Sequence, residues 1–455
     1  MSTQGSSVDV LEVIDSARYA GWPLAITILT ILIMLVDGYD LQSMSFVAPA
    51  ILAEWAVTRA DLSWVLNGSL IGMALGSVIL GRIADRIGRK SAFIASLLLL
   101  CAGSLLSAHA HSLTDLFVWR TATGIGLGGL TPLAAAFIAE WTPRRVRNVA
   151  VACAIVSVPL GGMLGAIVAQ HVIPEFGWRA IFWIGALMPL LFMLMAIFLL
   201  PESPQYLAQS PAHSGRLAIL LNRLLRSPRF DGTETFHVAE AAVPAGNWLA
   251  VIVGREYRRT TLLLWVAFAF NTLGLYSYAN WLPAVLTSAG FTQTQALHEH
   301  TFFNLGGFFG AVGGAFLINR FGSKRVGTGL SILGVVATLL IGGTLAVSAA
   351  PSDPLTLLIL AAGTAFNGMQ AFLYAVGAHS YPTSVRAAAV GCAQTISRIG
   401  GVLGGVAAGG FFALRPQPSV SLFFYVLGTL VVAVASSFFL LRSHIPPSGP
   451  TARST

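Results

Sequence analysis

Twelve separate apolar stretches, each long enough to cross a lipid bilayer, recur along this 455-residue chain. Crossing the hydrocarbon core takes about 20 residues of helix, and no water is available there to satisfy a loose backbone group, so each stretch is expected to be one membrane-spanning helix. They lie at 22–48, 61–83, 89–109, 114–140, 147–171, 178–200, 260–288, 300–320, 325–347, 354–378, 385–411 and 419–441. Composition agrees. With 55% hydrophobic and 10% charged residues and a mean hydropathy of +0.77, the chain has too little polar surface to cover a soluble globule of this size. The expected class is an all-α membrane protein. Polar sequence before the first span, with no early small-residue cleavage site, argues that this span is retained rather than removed as a signal peptide.

Basic residues set the expected orientation, because Lys and Arg accumulate in cytoplasmic loops. Of the 26, 21 fall on the side that carries both termini and the loop between spans six and seven. Only Arg59, Arg179 and Arg415 fall on the other side, and Arg120 and Arg398 lie inside spans. Both termini are therefore expected to be cytoplasmic, and the net charge of +8 reflects topology and anionic headgroups rather than nucleic-acid binding. Cys101, Cys153 and Cys392 read as small buried apolar residues without a disulfide or metal role.

The chain divides into an N-terminal bundle (1–200), a linker loop (201–259), a C-terminal bundle (260–442) and a cytoplasmic tail (443–455). The bundles read as copies. An offset of 239 carries PRRVR at 143–147 onto PTSVR at 382–386, and Gly161, Gly162 and Gly165 onto Gly400, Gly401 and Gly404. An offset of 234 carries GRIADRIGRK at 81–90 onto AFLINRFGSK at 315–324, and Pro49 onto Pro283. Two repeated halves of six spans describe a transporter that binds solute between them and rocks around it.

These residues carry a family resemblance. GRIADRIGRK resembles the loop signature of the major facilitator superfamily, G-x-x-x-D-R-x-G-R-K, and lies between spans two and three as it does in that family. RTATG at 120–124, PESP at 201–204 and the degenerate second signature agree with it. DGYD at 37–40 and GIGLGGLTP at 124–132 resemble elements of the aromatic acid:proton symporters within that superfamily. The resemblance implies twelve helices in two pseudo-symmetric six-helix bundles, working by alternating access. It further implies uptake of a small aromatic carboxylate, such as a hydroxybenzoate, with protons across a bacterial inner membrane.

Charged residues at bilayer depth are costly and persist mostly where they face a wet cavity, bind a cation or carry protons. Asp37 and Asp40 are three apart on one helix and are expected to carry the proton or to gate; the alternative is a static ion pair locking span one to span four. Arg120, about six residues into span four, is the expected partner at the depth of Asp40, and the resemblance associates this arginine with proton coupling. Arg398 lies mid-span in the second half, where the first half has Pro159. Its planar fork suits a carboxylate, so it is the candidate substrate clamp, with pairing to a protein acid or charge balance as alternatives. Asn271 stands where the first half has Asp37, which confines proton chemistry to the first half.

Tyr39, Tyr276, Asn280, Asn304, Phe366, Gln370 and Gln394 are candidates to supply rings and amides for substrate contact, as are Tyr278, Trp281 and Asn367. The resemblance implies that Gly81, Asp85, Arg86, Gly88, Arg89, Glu140, Arg147 and Glu202 form a cytoplasmic gate cluster, with Arg386 its counterpart. His379 occupies the place of Glu140 in the second half, so that cluster is not repeated.

Nothing in the sequence reads as an enzyme. There is no Walker loop, no metal-spaced His and Cys cluster and no nucleophile with its base, and GIGLGG follows no strand and so is not a dinucleotide fingerprint. No cofactor or metal is expected; an ion gradient supplies the energy, to a protein expected to act as a monomer among lipid. The alternatives are a proton-coupled exporter of drugs or metabolites, a porter of sugar or another organic anion, and a membrane sensor. SVPLGGMLG departs from the span-five pattern of the exporters.

Overall fold

Helix starts are set by side-chain caps that recur in both halves. Thr58 accepts a hydrogen bond from the Asp61 amide while the Asp61 carboxylate accepts one from the Thr58 amide, and Thr292 and Gln295, 234 residues on, repeat the arrangement. Each reciprocal pair satisfies two backbone donors that a helix start leaves free. The computed structural model describes residues 7–238, 248–348, 350–414, 419–441 and 444–446. Arg415 and most of the tail expected at 443–455 lie outside them.

Among the described residues, twelve helices are long and apolar enough to cross a membrane. Spans one to six are Trp22–Glu54, Arg59–Ile87, Arg89–Ala108, Leu113–Trp141, Arg144–Phe176 and Arg179–Leu199. Spans seven to twelve are Arg258–Ser288, Gln293–Phe321, Ser323–Val347, Asp353–Ser380, Thr383–Ala413 and Val420–Leu440. Each contains most of its sequence-derived stretch and generally runs a few residues beyond it. The side of the molecule that holds residues 201–259 is called the linker side, and the other the far side.

The two halves pack by the same glycine contacts. A Cβ on Gly161 would lie 1.9 Å from the Leu35 carbonyl oxygen, and one on Gly400 would lie 2.3 Å from that of Ala269. Leu35 and Ala269 correspond under the 234 offset, just as the two glycines do under 239. Spans one and five therefore touch backbone to backbone as spans seven and eleven do, with small residues setting the approach. The signature turn also depends on glycine. Gly88 has φ of +93° and Gly322, its counterpart, +78°, a region other residues avoid.

One apolar cluster on the far side runs through both halves, joining Phe46, Leu62 and Phe182 to Trp281, Phe303 and Phe424. Toward the linker side it gives way to two clusters, one within each half. The halves are thus fused at the far side and separate toward the linker.

The linker and the first residues pack onto the first half. Strand β1 (Ser7–Asp9) pairs in parallel with strand β2 (Thr235–His237). Helix Ser214–Leu225 is amphipathic and buries Leu217, Leu221 and Leu224 against the linker-side cluster of that half. Asp15 pairs with Arg144 at 3.0 Å and Arg147 at 3.6 Å. The cysteines are free, and the expectation that all three are buried is corrected: Cys153 is exposed and Cys101 and Cys392 are half-buried. A small apolar side chain on a span is as well placed against lipid as inside.

Candidate functional site

Between the halves lies a cavity of about 260 Å³ lined on the first-half side by Asp37, Thr131 and Pro159, and on the second by Tyr276, Asn367, Gln370, Tyr374, Gln394, Ser397 and Arg398. A second space of about 510 Å³ shares Thr131, Gln394 and Arg398 with it and continues past Met34, Ser77, Ala135 and Val151 toward the linker side. The cavity lies close to mid-span and its extension runs to the side where the halves separate.

The two acids of span one have unlike surroundings. Asp40 is fully buried, and its carboxylate accepts Arg120 Nη2–H at 2.8 Å, Arg120 Nη1–H at 3.2 Å and Ser104 Oγ–H at 2.8 Å. Arg120 Nη2 also donates to the Asp40 carbonyl at 2.8 Å, and its guanidinium lies 5.4 Å from the Phe182 ring centroid. Three spans converge on one buried ion pair, in which Arg120 Nε has no partner among the described residues. Asp37, one turn away, lines the cavity, and its Oδ1 has no hydrogen-bond partner among the described residues. Arg120 therefore pairs with Asp40 and not with Asp37.

Arg398 stands on span eleven, where it donates from Nη1 to Ser77 Oγ of span two at 2.5 Å. This bond crosses between the halves and leaves the rest of the guanidinium toward the cavity it lines. Beside it, Gln370 Oε1 accepts from Asn271 Nδ2 at 2.8 Å and Thr272 Oγ1 at 3.3 Å, and its Nε2 donates to Ser397 Oγ at 3.2 Å. Asn271 is thus a neutral member of a fixed amide and hydroxyl network.

Among the sequence-derived substrate candidates, the structure brings Arg398, Tyr276, Gln370, Gln394 and Asn367 to the cavity. Six others are placed elsewhere. Tyr39 points the opposite way on span one and donates to the Ile181 carbonyl at 2.8 Å. Phe366 packs under Gly274 and beside Tyr278, 5.2 Å between centroids. Asn280 is buried in span seven away from the lining, and Asn304 is held by Gln42 of span one. Tyr278 and Trp281 are spent on Thr338 and the Gly405 carbonyl. Each lies on the packed face of its helix. Reading the sequence missed Thr131, although it stands in GIGLGGLTP, and Ser397, although it precedes Arg398. Gln42, His300, Ser104, Ser77, Thr272 and Tyr374 carried no sequence signal.

The gate candidates gather at the linker-side ends of the first half. Arg89 pairs with Glu140, whose Oε2 accepts from Ser203 Oγ at 2.5 Å. Glu202 accepts the Lys90 amide at 3.0 Å, and a Cβ on Gly88 would lie 2.3 Å from its Oε2. Gly81 has open space where a Cβ would stand, and Asp85 and Arg86 are exposed. Arg147 and Arg386 correspond, each donating from Nε to a carbonyl five residues back, Thr142 and Tyr381. His379 is exposed.

A model described as Major Facilitator Superfamily matches residues 30–405. The chain is 33% identical over 408 residues to a 4-hydroxybenzoate transporter of Acinetobacter baylyi, covering 89% of this chain and 88% of that protein. It is 30% identical to a gallate transporter of Pseudomonas putida over 94% of each. Among solved structures, a D-xylose-proton symporter superposes with a TM-score of 0.72 at 17% identity, over 94% of this chain and 99% of that one.

Proposed function

The chain belongs to the major facilitator superfamily of integral membrane transporters, and from that premise we propose that it imports an aromatic carboxylic acid together with protons. The observation that carries this reading is the shared cavity of Arg398 and Asp37, one a fork-shaped cation and the other a carboxylate whose Oδ1 has no hydrogen-bond partner and which joins no ion pair among the described residues. The similarity to transporters of 4-hydroxybenzoate and gallate supports the substrate class.

Arg398 offers a carboxylate two parallel charge-assisted hydrogen bonds, while Tyr276 and Tyr374 flank the ring and Gln370, Gln394 and Asn367 meet its hydroxyl groups. Asp37 takes the proton: its Oδ1 has no hydrogen-bond partner among the described residues, and it releases that proton into the cavity when water reaches it from the linker side. Asp40 and Arg120 hold spans one and four at fixed spacing beneath it. The linker side is cytoplasmic, consistent with the 21 basic residues there, and the protein works as a monomer in a bacterial inner membrane by alternating access.

Uptake into proteoliposomes under an inward proton gradient tests this. Labelled benzoate, hydroxybenzoates, dihydroxybenzoates and phenylpropanoates are compared with a sugar and a neutral aromatic amide. Accumulation of an acid, abolished by a protonophore and absent for the amide, is expected. Efflux or exchange of other compounds, with no acid accumulation, would overturn it in favour of an antiporter.

A further inference from the structure

On the far side, three buried polar side chains join the halves without a charge between them. Gln42 Nε2 of span one donates to Asn304 Oδ1 of span eight at 2.9 Å, and Asn304 Nδ2 donates back to Gln42 Oε1 at 2.9 Å. His300 Nε2 meets the same Gln42 Oε1 at 2.7 Å. An amide oxygen can only accept, so His300 carries its proton on Nε2, and its Nδ1 is buried without a partner among the described residues. The His300 ring also lies edge-on to Phe46, 5.5 Å between centroids.

Gln42 reaches span eight only because span five has no side chain in its path. A Cβ on Gly162 would lie 2.2 Å from Gln42 Nε2. The other half repeats this geometry with apolar partners. Tyr276, the counterpart of Gln42, lies over Gly401, the counterpart of Gly162, with a Cβ there 2.9 Å from the ring. Leu66 and Leu70 stand where the second half has His300 and Asn304. One of two equivalent contacts faces the substrate cavity as Tyr276 and Leu70, and the other has become polar and closes the opposite face.

We propose that Gln42, His300 and Asn304 form an uncharged latch that holds the far side of the transporter shut, with Gly162 as its clearance. The proposal rests on the reading that the halves rock about the central cavity. A neutral latch suits that motion. When it parts, amides and an imidazole meet water with modest cost, whereas a buried ion pair would leave two charges to be rehydrated and re-paired each cycle. Span one carries both Asp37 and Gln42, so a displacement of that helix acts on the proton site and the latch together.

The test measures conformation without substrate. Spin labels at Glu175→Cys and Thr294→Cys, exposed positions at the far ends of spans five and eight, are placed in full-length protein with its three native cysteines replaced by alanine, and distances are read in lipid nanodiscs. The parent is expected to show chiefly the short distance. Gln42→Ala, Asn304→Leu and Gly162→Ala should each raise the ratio of long to short distance, by about fivefold for each neutral hydrogen bond lost. Asn304→Leu installs the residue of the corresponding Leu70, so it keeps the fold where alanine would leave a hole. Distributions identical to the parent in all three variants would overturn the latch. A shift in distances with no uptake of any acid would retain the latch and reject the importer; uptake with unmoved distances would do the reverse.

Discussion

The residue that distinguishes this site is Asp37, because its neighbour three positions on has every bond it can use. Asp40 and Arg120 form a fully buried ion pair where three spans meet. Breaking such a pair from one side strands a charge at a cost of about 3–5 kcal/mol. Arg120→Gln is therefore expected to lower the thermal unfolding temperature of the purified protein sharply, and Arg120→Gln with Asp40→Asn to recover most of the loss. Asp37→Asn should leave unfolding near the parent value, abolish accumulation driven by a proton gradient and retain downhill exchange of the acid. Arg398→Ala should weaken binding of the acid about 10- to 100-fold in a calorimetric titration, the range for a hydrogen bond to a charged group, with Arg398→Lys intermediate because it loses the fork. The charged members of this set were legible in the sequence, since charges in apolar runs stand out. Tyr39 and Phe366 were misplaced because an aromatic ring packs or binds equally well, and only the rotation of the helix decides between them.

That rotation is a property of elements, and it explains where the sequence stops informing. Hydropathy located all twelve spans to within a few residues at most ends, because the bilayer imposes length. Span one, however, is apolar on nearly every side, so periodicity does not say which face meets the cavity, which meets span five and which reaches span eight. The glycines do say so once their neighbours are known. Gly161→Ala would drive a Cβ into the Leu35 backbone, and overpacking of this kind costs about 1–3 kcal/mol. A clear drop in unfolding temperature is expected there, whereas Gly81→Ala, with open space at its Cβ, should unfold with the parent despite its place in the signature. The opposite ranking would mean that the spacing of spans one and five is not set by their backbone contact.

At the scale of the whole molecule, two six-helix bodies share one core on the far side, and the first body carries a cap on its linker side. The amphipathic linker helix and strand β2 belong to that cap, a feature that the polar composition of 201–259 did not reveal because its leucines are spaced among arginines. Deleting residues 1–16 removes β1 and Asp15. Limited proteolysis between 226 and 234 is then expected to quicken, while the membrane spans persist; unchanged cleavage would show the cap to be held by the linker helix alone. The pairing of Ser7–Asp9 with Thr235–His237 has a consequence for synthesis. At about 5–20 residues per second, the first strand waits roughly 10–50 s for its partner to leave the ribosome. Throughout that interval six helices enter the membrane with the start of the chain unpaired, and its capture then marks the first bundle as complete before the second has begun.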